Sequence, residues 1–200
     1  MQADLFGVAY PPGLAALRGF ALAEAEALLA VIGQVSAVAP FRNMVTPGGH
    51  AMSAAMTNAG LGWVTDRKGY RYTAEDPESG ARWPDLPEVL VGLGARAGAA
   101  AGFAGFTPDG CLINRYDVGA KMGLHQDINE GDMSAPIVSV SLGAPAVFLF
   151  GGLKRSDPVM KIVVEHGDVV VWGGPARLAY HGVMPVKAGV RYNLTLRKAL

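Results

Sequence analysis

The amino-acid sequence predicts a mostly β protein with flanking helices, a helical and irregular N-terminal half leaning on a C-terminal sandwich or barrel. Three observations predict it. Apolar residues recur at helical spacing early in the chain, short β-rich runs crowd the second half, and Gly, Pro and Asp punctuate those runs. With 200 residues, half of them hydrophobic and 17% charged, the chain has the length and composition of one globular domain.

Residues 21–38 place Leu22, Ala25, Leu28, Leu29, Ile32 and Val35 on one stripe, the pattern of an amphipathic helix. A second helix is expected to start near Asp85 and to end at Gly102. Asp85 and Glu88 have capping-box spacing, Pro87 suits a first turn, and Leu86, Leu90, Leu93 and Ala97 form a buried stripe. Strands are expected at 111–116, 137–142, 146–150, 161–165, 169–172, 178–181 and 191–197. The chain reads as a single domain, with an N-terminal part over about 1–104 and a β core over about 105–200.

Composition narrows the function. Lys plus Arg equals Asp plus Glu, so no global basic field advertises nucleic-acid binding, and only a local basic surface would serve. No apolar run is long enough to span a membrane. Residues 1–12 lack the basic-then-apolar order of a secretory leader. Cys111, the only cysteine, excludes an internal disulfide, fits a cytoplasmic location, and reads as a small buried hydrophobe.

Chemistry begins at His125-Gln126-Asp127. In a strand, positions i and i+2 share a face, so one imidazole and one carboxylate would converge, and His181 on a later run offers a second imidazole. Two histidines and a carboxylate on one face of a metal are the ligand set of non-haem Fe(II) oxygenases. Taken alone, His181 reads equally as a core or surface histidine. His166, in a turn before a strand, is assigned no chemistry. In 191–197, Arg191, Asn193, Thr195 and Arg197 alternate with Tyr192, Leu194 and Leu196. Two arginines beside an amide would hold a dicarboxylate bidentately, unless the strand is an exposed edge with its arginines in water. Between Trp63 and Tyr72, aromatic and basic residues interleave as in platforms for single-stranded nucleic acid; a hairpin with core aromatics and solvated cations is the alternative.

Together these elements resemble the AlkB family of nucleic-acid dealkylases, near its bacterial founding branch. The resemblance runs from about Phe41 to the C-terminus. Its stretches are 44–49 (MVTPGG), 52–58 (MSAAMTN), 61–63 (LGW), 112–116 (LINRY), 125–127 (HQD), 136–143 (PIVSVSLG), 150–155 (FGGLKR), 166–174 (HGDVVVWGG) and 191–197 (RYNLTLR). It implies a double-stranded β-helix, or jelly roll, with an N-terminal nucleotide-recognition lid. It implies an enzyme using Fe(II), 2-oxoglutarate and O2 to dealkylate bases such as 1-methyladenine and 3-methylcytosine. The expected partner is single-stranded DNA, with double-stranded DNA or RNA as further substrates, and the expected state is a monomer.

The resemblance assigns His125, Asp127 and His181 to iron and Arg191 to the distal carboxylate of 2-oxoglutarate. Arg197 falls near its C1 carboxylate and belongs with the three iron residues to the catalytic set. Leu112, Asn114, Tyr116 and Asn193 complete the co-substrate site. Trp63 and His181 would sandwich the damaged base. Thr46, Tyr70, Lys121, Asn129 and Arg155 would contact the nucleic acid. Three departures stand out. Asn129 occupies a position where the founding branch carries a carboxylate, His50 replaces an aromatic phenol, and the connection from Lys187 to Arg191 is shorter. Two rival readings share the fold: a hydroxylase of proteins or small molecules, and a non-catalytic sensor of 2-oxoglutarate or damaged strands.

Overall fold

The computed structural model describes residues 10–200, so most of residues 1–12, where no secretory leader is expected, lies outside the described residues. In chain order the elements are β1 (Leu14–Leu17), α1 (Ala25–Val38), β2 (Ala55–Gly60), β3 (Gly62–Asp66), β4 (Gly69–Thr73), α2 (Glu88–Ala100), β5 (Gly110–Tyr116) and β6 (Met122–His125). They continue with β7 (Ile137–Gly143), β8 (Ala146–Phe150), β9 (Met160–Val164), β10 (Val169–Trp172), β11 (His181–Val183) and β12 (Arg191–Arg197). Two antiparallel sheets, ordered β1-β10-β7-β12-β5-β2 and β6-β11-β8-β9, form the jelly roll, and β3-β4 stand apart as a hairpin.

Strand alternation divides the core into two layers. Val138, Val140, Leu142, Val169, Val171, Leu194 and Leu196 point from the six-stranded sheet to the helices, where they meet Leu28, Ile32 and Val35 of α1 and Leu90, Leu93 and Ala97 of α2. The opposite face turns Tyr116, Ile137, Val170 and Trp172 toward Phe148, Phe150, Ile162 and Val183 of the smaller sheet. A third cluster, with Met44, Met56, Val64, Trp83 and Leu112, supports the hairpin. Cys111 lies in the helix-side layer, and burial pushes its thiol up to about 12. Among the described residues no helix is long and apolar enough to cross a membrane.

Both expected helices form, but the capping box at Asp85 does not. Helix α2 starts at Glu88, and Pro87 is its N-cap residue with extended backbone and no side-chain cap. A proline disfavours helical backbone in the residue before it, so the helix cannot reach back toward Asp85, and Glu88 is its first residue instead of its third. The run at 178–181 is also misplaced. Residues Gly174–Ala176 form a 3-10 turn, Ala179 N–H bonds back to the Ala176 carbonyl, and the strand begins only at His181. Strand β12 is no edge: it is hydrogen-bonded along its length between β5 and β7.

Candidate active site

The site lies between the two sheets, and register assembles it. His125 ends β6 and pairs directly with His181 at the start of β11. Gly182 makes this approach possible, since a Cβ there would stand 2.7 Å from the Met122 carbonyl oxygen of β6. The two imidazole centroids are 4.3 Å apart. Asp127 lies beyond the strand, on the loop that follows, so its convergence with His125 comes from the loop and not from strand alternation. Its carboxylate oxygens stand 3.7 Å from His125 Nε2 and 3.5 Å from His181 Nε2. One ligand atom from each of the three residues lies within 4.8 Å of the others.

Each imidazole has its Nδ1 near a backbone carbonyl, Gly123 at 2.9 Å for His125 and Ala179 at 3.1 Å for His181. A carbonyl can only accept, so Nδ1 carries the proton and Nε2 keeps its lone pair for a metal. Desolvation, with the facing His181, lowers His125 to about 4, which favours the neutral ring. Burial alone would raise Asp127, but the Arg197 guanidinium beside it holds it well below the usual carboxylate range.

The polar face of β12 enters the same interior. Asn193 and Thr195 line the inner pocket with Asn114, Tyr116, His125 and His181. Asn193 donates to Ser139 Oγ at 2.8 Å, and Thr195 donates to Asn193 Oδ1 at 3.0 Å. Arg191 is 1% exposed and its guanidinium sits 5.1 Å from the centre of the Tyr116 ring. Its Nη2 donates to Ser141 Oγ at 3.0 Å and the guanidinium also interacts with the Tyr116 hydroxyl, while Nε and Nη1 are buried without a hydrogen-bond partner. A buried cation with orphaned donors is costly, and burial lowers its pKa. A carboxylate would supply the anionic acceptor that this buried guanidinium lacks, so the residues present fit a dicarboxylate co-substrate.

Outside this pocket a cleft of about 470 Å³ opens, lined by Thr46, Trp63, Tyr70, Asn129 and Arg155 together with His125 and Asp127. Trp63, Thr65, Tyr70 and Tyr72 share one face of the β3-β4 hairpin, and the Trp63 and Tyr70 rings stack with centroids 5.7 Å apart. Asn58 pins the Trp63 backbone through both its N–H and its carbonyl, each at 3.1 Å. Arg155 donates to the Leu124 carbonyl at 2.7 Å and lies over the Tyr180 ring. The ring neighbours of His181 are His125, Phe148 and Trp172, while Trp63 faces Tyr70.

Not every candidate reaches these cavities. Leu112 packs into the cluster beneath the hairpin. Lys121 is exposed and outside the cleft lining, its backbone N–H and carbonyl both bonded to the Ser53 hydroxyl. His50 is exposed in the turn that Thr46 braces. Sequence reasoning missed Glu130, Arg177 and Tyr72, which surround Asp127 and Arg197. Arg197 donates to Asp127 Oδ2 at 2.7 Å, so its side chain reaches the metal-ligating loop directly.

A jelly roll with a His-Asp-His cluster and a buried, unneutralised arginine defines a dioxygenase dependent on Fe(II) and 2-oxoglutarate. The model of the 2OG-Fe(II) oxygenase superfamily matches residues 13–197. The chain is 58% identical to the alpha-ketoglutarate-dependent dioxygenase AlkB of Salmonella typhimurium, over 94% of this chain and 91% of that protein. It is 54% identical to its Escherichia coli counterpart, over 98% and 97%. The solved structure of OsALKBH1 superposes with a TM-score of 0.80 at 29% identity, covering 95% of this chain and all of that one. The chain belongs to the AlkB family, close to its bacterial branch.

Proposed function

We propose that this enzyme repairs N-alkylated bases in single-stranded DNA, with 1-methyladenine and 3-methylcytosine as substrates and RNA as a further one, acting as a cytoplasmic monomer. The observation that carries the reading is that two cavities share part of their lining. The cleft walled by the Trp63-Tyr70 stack shares His125 and Arg197 with the inner polar pocket. An extruded base can thus approach the metal-ligand cluster while its strand stays outside.

In this reading His125, Asp127 and His181 hold Fe(II). Arg191 holds the distal carboxylate of 2-oxoglutarate, and Arg197 stands near its C1 carboxylate. Asn114, Tyr116 and Asn193 add hydrogen bonds, and Leu112 backs the co-substrate wall through its packing. Bound iron with 2-oxoglutarate and O2 supplies the oxidation that hydroxylates the N-alkyl group, with succinate and CO2 as co-products and formaldehyde leaving from a methyl lesion. Trp63 offers a stacking face to the base; Thr46, Tyr70, Lys121, Asn129 and Arg155 orient the strand around it. Buried side chains on both sheets keep bulk water from the reacting centre.

The test is turnover across a panel of N-alkylated DNA and RNA oligonucleotides, following succinate and formaldehyde together. Equal release of both on methylated single strands is the expected result. Succinate without formaldehyde across the whole panel, with no salt-dependent oligonucleotide affinity, would overturn the reading in favour of another substrate class.

A further inference from the structure

The hairpin that walls the cleft is tied to the Asp127 loop by a single phenol. The Tyr72 hydroxyl, on β4, donates to Glu130 Oε1 at 2.8 Å and accepts from Arg197 Nη1 at 3.2 Å. Arg197 donates in turn to Asp127 Oδ2 at 2.7 Å. The other Glu130 oxygen accepts from Arg177 Nη2 at 3.0 Å, and Arg177 also donates to the carbonyls of Asp127 at 2.8 Å and Ala135 at 3.0 Å. Strand β4 therefore reaches Asp127 twice: at its carboxylate through Arg197, and at its backbone through Glu130 and Arg177.

The two ends of this network differ in how they are anchored. The Glu130, Arg177 and Arg197 side chains are buried, at 1%, 4% and 6% exposure, and lie within the jelly roll. Tyr72 sits on a two-stranded hairpin that pairs with neither large sheet. With the hairpin docked the network is nearly complete. With it lifted, Glu130 and Arg197 each lose a partner, a penalty that falls on buried charged groups. Burial pushes the Tyr72 hydroxyl well above its ordinary value, so it keeps the proton it donates.

We propose that Tyr72 and Glu130 form a latch that couples docking of the β3-β4 hairpin to the orientation of Asp127. Both act as positioning residues, and the proposal rests on the reading of His125, Asp127 and His181 as the metal site. Coupling between two sites is reciprocal. Filling the metal site fixes Asp127 and Arg197 and so holds the hairpin down; a hairpin held down by nucleic acid fixes Asp127 for the metal.

The test is hydrogen exchange of the 62–73 amides in the full chain, with and without Mn(II) plus 2-oxoglutarate under anaerobic conditions. It is run on the wild type, Tyr72→Phe and Glu130→Gln. Phenylalanine keeps the ring and its packing but removes the hydroxyl; glutamine keeps an acceptor for Tyr72 but removes the charge facing Arg177. The expected result is that loading slows hairpin exchange in the wild type by about three- to tenfold, the worth of one such hydrogen bond. That response should vanish in Tyr72→Phe and shrink in Glu130→Gln. A response of the same size in Tyr72→Phe overturns the latch. So does faster exchange in that variant regardless of loading, which marks plain packing. The charge-transfer absorption of Fe(II) with 2-oxoglutarate separates the two levels. If it forms in the wild type but the hairpin does not respond, the latch alone fails; if it never forms, the metal-site reading fails and the latch with it.

Discussion

At the scale of single residues, the site divides into groups that must be present and groups that must be paired. His125, Asp127 and His181 are of the first kind. Replacing any one with Ala should abolish turnover and the Fe(II)–2-oxoglutarate absorption band while leaving the circular dichroism of the fold intact; retained activity would remove that residue from the set. Arg191 is of the second kind, a buried guanidinium with two orphaned donors. Arg191→Met should raise the 2-oxoglutarate requirement by the equivalent of about 2–5 kcal/mol, the range for a desolvated charged contact. Oligonucleotide affinity, read by anisotropy, should barely change. Trp63→Ala should weaken binding of methylated strands by about 1–3 kcal/mol. Arg191 was legible because strand alternation puts it on one face with Asn193 and Arg197. Glu130 and Arg177 were not, because their partners are distant in sequence: Arg177 reaches back 47 residues to Glu130. Nothing local distinguishes such a pair from two surface charges.

At the scale of elements, apolar patterning carried the reading wherever a strand or helix faces one dry layer. Strands β7, β8 and β10 could be read because Val, Ile, Leu and Phe dominate them, and β12 because Tyr192, Leu194 and Leu196 alternate with polar residues. Strand β1 escaped because Leu-Ala-Ala-Leu has no β-branched residue, and β2 because Asn58 and Gly60 interrupt it. Asn58 is buried in β2 for a reason outside the strand, namely its two hydrogen bonds to Trp63. Layering also separates stability from chemistry. Leu28 of α1 is fully buried against the outer face of the large sheet, away from the inner pocket. Leu28→Ala should therefore lower stability by about 2–5 kcal/mol in urea unfolding, with 2-oxoglutarate affinity unchanged. A parallel loss of affinity would show that the helical layer shapes the site.

For the molecule as a whole, zero net charge conceals strong local pairing, and one pair binds the hairpin region to the rest. Arg42, before β2, grips Asp76, after β4, through Nη1 at 2.8 Å and Nη2 at 2.6 Å. Asp76 also accepts from the Glu78 N–H and the Ser79 hydroxyl, each at 3.0 Å. Burial opposes its charge, but the Arg42 bond and these two donors outweigh that and lower its pKa below the ordinary 3.8. A carboxyl depressed by folding contributes stability that is fully present above its unfolded value and lost as pH falls through its folded value. Asp76→Asn should thus cost about 1.5–3 kcal/mol at pH 7, the usual worth of hydrogen bonds to a charged group. Below the folded-state value the wild-type carboxyl is protonated too, so the two proteins should converge there. Urea midpoints measured for both from pH 7 down to about pH 2 would check this. A gap that stays constant over that range would mean that Asp76 stabilises through shape alone, and that its charge contributes nothing to holding the hairpin region on the jelly roll.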